Sequence, residues 1–150
     1  MGSSLESMFS DLNIVCDTMG LKFVEIKSDL EDFIGADPVI GYYFAPGPSP
    51  MLSTLVLDIF VLTDQYLCNH EVSKKENQYS KACYVVFLQQ LTAIREKPER
   101  QKEDEFIGIH FDTSGGPGLA LYDKLIRMED IREFCLKTKD ARINRQRSTQ

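Results

Sequence analysis

The sequence predicts an α+β domain: an antiparallel, partly open β-barrel or sandwich, closed by a C-terminal helix and preceded by an added N-terminal helix. Three observations predict it. Residues 54–73 hold two apolar runs, TLVLDIFVLT and YLCNHEVS, parted only by Asp64 and Gln65. Runs rich in Val, Ile, Leu, Phe and Thr suit a pleated, half-buried surface, and a short polar break between them makes a tight hairpin. Further strand-like runs follow in meander order up to residue 123. The period then changes: Met128, Ile131, Phe134, Cys135 and Thr138 repeat at intervals of three and four, which is the spacing of an amphipathic helix. Residues 1–35 read as a helical extension and 36–150 as one structural unit.

In chain order, Leu5, Met8, Phe9, Leu12, Val15, Cys16 and Met19 fall on one helical stripe, with Ser3 and Glu6 spaced as a capping box and Gly20 as a stop. A helix over 5–19 follows. Its large apolar side chains gain too much from burial to stay in water, so the stripe packs either on the rest of the fold or on a second copy. Residues 21–35 fit two patterns. LKFVEI suits a strand, whereas Phe23, Ile26, Leu30, Phe33 and Ile34 suit a helix; in both cases Ser28 and Glu31 cap a short helix over 29–34. VIGYYFA reads as a strand after Asp37-Pro38. APGPSPM, 45–51, has three prolines and reads as a loop. After the hairpin, polar 73–81 reads as a loop. ACYVVFLQQLTAIRE, 82–96, reads as one strand or as two broken near Gln89-Gln90, and charged 97–105 as another loop. FIGIHFD, 106–112, alternates as a half-buried strand should; 113–118 is a Gly-rich turn and LALYD the last strand. The final helix, about 128–142, is acidic at its start and basic at its end, as the helix dipole prefers.

With 150 residues, the chain is of the size of one domain with a sizeable core. It has no apolar run long enough to span a bilayer, and Glu6 and Asp11 stand where a secretory leader would be apolar. Cys16, Cys68, Cys83 and Cys135 are scattered without C-x-x-C spacing, which favours free thiols in the cytoplasm over a disulfide framework. The net charge of −6 is uneven. Five cations and one acid between Leu136 and Gln150 leave +4 there and −10 on the other 135 residues. An acidic body disfavours nucleic acid as a partner.

The hairpin VLTDQYLCNHEV resembles the first hairpin of GRAM-type and bacterial pleckstrin-homology domains. There an apolar strand ends in Leu-Thr, a polar pair follows and a Leu- or aromatic-rich strand returns. FLQQLTAIRE is similar to a later strand of those domains. FIGIHFD, LALYD and the helix MEDIREFCLKTKDARI come in the order that superfamily implies. The resemblance spans about residues 38–145. It implies a binding scaffold for head groups, peptides or proteins, not an enzyme. The chain departs from lipid-binding members: APGPSPM and TDQY hold no cation, and Lys74, Lys75 and Lys81 lie at the other end of the hairpin beside Glu71 and Glu76. A phosphate head group needs several cationic donors.

The expected function is therefore protein–protein interaction, through the groove between the last helix and the neighbouring strands, around Ile131, Arg132 and Phe134. The alternative is a peripheral membrane surface built from Lys137, Lys139, Arg142, Arg145 and Arg147, joined by Lys74 and Lys75; each such cation gains roughly 1 kcal/mol near an anionic leaflet. Self-pairing through the N-terminal helix is a further expectation. No cofactor is implied. His70 and His110, with Cys68, Cys83 or Asp112, supply the residue types of a ligand set or Cys-His nucleophile, but two ligands do not fix a site. The 113–118 glycines lack the Gly-Lys-Ser/Thr ending of a phosphate loop.

Overall fold

A computed structural model describes residues 4–46, 54–101 and 104–148. It is α+β. Helices α1 (Ser4–Met19) and α2 (Phe23–Ile34) precede seven strands, and helix α3 (Met128–Ser148) follows them. Strands β1 (Val39–Pro46), β2 (Thr54–Thr63), β3 (Tyr66–Lys75) and β4 (Gln78–Phe87) form one antiparallel sheet in that order. Strands β5 (Leu91–Gln101), β6 (Asp104–Thr113) and β7 (Leu119–Lys124) form a second. No ladder joins the two sheets among the described residues, so they do not close into a barrel.

Alternation along the central strands builds two cores from one sheet. Phe60, Leu62 and Leu67 of the first sheet meet Ile107, Ile109, Phe111 and Leu121 of the second, and Ile131, Phe134 and Cys135 of α3 close that core. On the opposite face, Leu57, Ile59, Val61 and Cys68 meet Met8, Leu12 and Cys16 of α1 and Ile26, Leu30 and Ile34 of α2. Strands buried on both faces read as nearly continuous apolar runs, as 57–62 does.

The α1 stripe is thus spent on the chain's own sheet. Residues 23–34 are one helix; the strand alternative for LKFVEI is lost. Ile26, Leu30 and Ile34 give that helix its buried side, and Gly20 and Gly35 bound it at φ 71° and 59°. The predicted hairpin is present, with Asp64 and Gln65 as its turn. Two predicted loops are corrected. Residues 73–81 belong to β3 and β4, which pair Lys75 with Gln78 around a two-residue turn at Glu76 and Asn77. Most of β4 faces solvent, so its polarity reflects an exposed edge strand. Residues 97–105 likewise continue β5 and β6, with Arg100 opposite Glu105; 102–103 lie outside the described residues. Pro98 is tolerated because β5 is an edge strand. Ala45 and Pro46 end β1, and the rest of the predicted 45–51 loop lies outside the described residues. The break near Gln89-Gln90 is a short 3-10 turn, Leu88–Gln90. Helix α3 runs six residues beyond the predicted end at 142, to Ser148.

Candidate functional site: the open edge of β1

Strand β1 ends the four-stranded sheet, so only one of its sides carries a ladder. A β-bulge between Val39 and Gly41 changes its phase. Val39 packs in the outer core, whereas Tyr43 and Ala45 pack in the inner one. Tyr42 and Phe44 stack on each other, ring centroids 5.3 Å apart, and lie against the outer core. Two phenols anchor the strand. Tyr42 Oη donates to Asp11 Oδ2 of α1 at 2.5 Å. Tyr43 Oη donates to Asp123 Oδ2 of β7 at 2.6 Å, and Asp123 is 1% exposed and 3.6 Å from Arg127. Burial, then the neighbouring carboxylate, raises both phenols above their usual range, Tyr42 to about 12. They stay neutral donors at any physiological pH.

Helix α1 on one side and α3 on the other turn this edge into a groove of about 540 Å³. Residues 40–44 form its floor. Asp11 and Val15 line the α1 wall; Asp130, Glu133, Phe134 and Lys137 line the α3 wall. Gly41 permits the close approach of α3, since a Cβ there would stand 3.3 Å from Lys137 Cδ. The unpaired edge of β1 makes no further backbone or side-chain hydrogen bond among the described residues. Asp130 and Glu133 have no ion-pair partner among them either.

The residues singled out in the sequence are divided by the fold. Phe134 is core, 3% exposed, and also lines the groove; Ile131 is fully buried. Arg132 points away from the groove, to Glu96 of β5 at 3.2 Å. Arg142 donates to the Thr92 carbonyl at 3.3 Å. Lys74 donates to the Gly20 carbonyl at 3.0 Å and sits 5.7 Å from the Tyr79 ring centroid. Lys75 ends β3, beside that exposed hairpin turn. Lys137, Lys139, Arg145 and Arg147 are distributed around α3. The structure therefore does not gather the seven predicted cations on one surface.

His70 and Cys83 face each other across β3 and β4, Nε2 3.6 Å from Sγ. Burial lowers the His70 pKa and raises that of Cys83. Both groups are then neutral, the opposite of the thiolate–imidazolium pair a nucleophile needs. Asp112 is held by Arg95, Nε to Oδ2 at 2.5 Å, which lowers its pKa. His110 stacks edge-on to Tyr122. No group of three or more His, Cys, Asp or Glu able to hold a metal exists among the described residues. No helix among them is long and apolar enough to cross a membrane.

Comparison with known proteins returns nothing: no family model, no curated protein and no solved structure matches this chain. The groove is therefore read from its own geometry. No pattern of apolar spacing marked it, because it depends on sheet order.

Proposed function

We propose that this chain is a non-enzymatic, pleckstrin-homology-like interaction domain that accepts an extended segment of a partner protein as an added strand along β1. The observation that carries the reading is the open edge of β1 at the floor of a groove walled by two helices. An exposed edge offers main-chain donors and acceptors to an extended peptide, and flanking pockets select its side chains. The order of four strands, three strands and a closing helix supports the superfamily reading. Four free cysteines, three of them buried, support a cytoplasmic setting.

The partner segment carries Lys or Arg. Asp130 and Glu133 present two carboxylates to the groove against the ammonium of Lys137, and Arg127 is already engaged by Asp123. Selection from a random peptide library on the intact chain tests this. Enriched peptides are expected to be extended and basic. Reversing both charges, Asp130→Lys with Glu133→Lys, is expected to weaken them about tenfold, some 1.4 kcal/mol. Peptides that bind the variant equally well contradict the assignment.

A further inference from the structure

The inner face of the first sheet is apolar only toward Leu62 and Leu67. Along the same face the alternation continues with Asp58 on β2 and with Asn69 and Glu71 on β3. Asp58 stands opposite Glu71, and Phe60 opposite Asn69. Together with Val56, Ala120 and Tyr122 these three residues line a cleft of about 350 Å³ between the sheets. It shares no lining residue with the β1 groove. Asp58 and Asn69 are each 6% exposed. Asn69 Nδ2 donates to Asp58 Oδ1 at 3.3 Å. Asn69 Oδ1 is buried and has no hydrogen-bond partner among the described residues. No Lys or Arg lines the cleft. A buried acceptor left unpaired is costly, and Asp58 and Glu71 face each other with a shared hydrogen bond but no cation between them.

We propose that this cleft binds a primary alkylammonium group, the ammonium held by Asp58, Glu71 and Asn69 Oδ1 and the alkyl chain lying against Val56, Ala120 and Tyr122. An ammonium has three donors and no acceptor, which matches Asp58, Glu71 and Asn69 Oδ1; Thr54 and Ser73, which also line the cleft, carry hydroxyl oxygens that accept as well. The apolar walls suit a short methylene chain. They do not suit a calcium or magnesium ion, which takes six or more oxygen ligands. The elevated pKa of Asp58 fits a carboxyl that lacks its counter-ion.

Titration of the isotope-labelled full chain with n-butylammonium chloride tests the proposal by NMR. The side-chain amide resonances of Asn69 are expected to shift with a saturable, millimolar midpoint. n-Butanol is expected to leave them unmoved. Glu71→Gln is expected to weaken the response at least tenfold, and Asp58→Asn to do the same if the first variant folds poorly. Tighter binding of 1,4-diaminobutane than of Nα-acetyl-lysine methylamide assigns a free amine as the ligand; the reverse order assigns a lysine side chain of another protein. Equal shifts with n-butanol overturn the proposal. So do shifts produced by calcium chloride in place of the amine, or none at all at Asn69.

Discussion

Removing residues 1–20 lowers the melting temperature by about 10–20 °C, or abolishes cooperative unfolding. Met8, Leu12 and Cys16 are fully buried against Leu57, Ile59 and Val61, which are fully buried in turn. Each large apolar side chain returned to water forfeits about 1.5–3 kcal/mol, and deletion also uncovers the sheet face beneath. The summed loss is comparable to the whole stability of an ordinary domain, about 5–15 kcal/mol. The single substitution Leu12→Ala is expected to cost about 2–5 kcal/mol by denaturant titration. Deletion without change in melting temperature would show that α1 covers nothing that matters.

The second large effect is one of pH. Burial, then the charge of Glu71, raises the Asp58 carboxyl from about 4 to about 7. The native state therefore holds a proton between those values that the unfolded state has released. Stability from this group is fully present below the unfolded pKa and is lost as pH rises toward 7. At pH 8 the penalty is about 2–4 kcal/mol. Asp58→Asn removes the charge, so it is expected to stabilise the domain by that amount at pH 8 and by little at pH 4.5. The comparison of the two proteins isolates Asp58 from His70. The lowered pKa of His70 acts with the opposite sign, removing stability as pH falls below its unfolded value of about 6.5. Parallel pH profiles for the two proteins would contradict the account. Asp112, whose pKa Arg95 lowers, acts only below about 4 and does not enter this window.

Much of the fold was legible in the residues because burial leaves a period. The 54–73 hairpin announced itself through Val, Ile, Leu and Phe that are buried on both faces of one sheet. The final helix showed its stripe through Ile131, Phe134, Cys135 and Thr138, all buried. Residues 73–81 and 97–105 hid their strands for the converse reason. They extend the β3–β4 and β5–β6 hairpins in polar residues, where ladder hydrogen bonding persists without an apolar pattern. The helix over 23–34 was ambiguous because a short apolar run fits either period.

The candidate sites were less legible. Arg132 and Phe134 pointed toward α3, yet Arg132 turns to Glu96 and only Phe134 reaches the groove. Residues 40–44 looked like one strand among several; nothing local marks a strand as terminal in its sheet. Asp58 had a signal that was readable. A two-residue turn at Asp64 and Gln65 fixes the register, which sets Asp58 opposite Glu71 and Phe60 opposite Asn69. A lone acid inside an apolar strand, facing another acid, marks a place where the core stops and a cleft begins.

Addition of a partner strand along β1 is read out by amide hydrogen exchange. The intact chain is to be measured alone and with a saturating library-selected peptide. Protection is expected to rise at least tenfold at alternate residues of 40–44, with little change on β4, the other edge of the same sheet. Protection that appears on β4, or a bound peptide that leaves 40–44 exchanging as before, would contradict strand addition at β1.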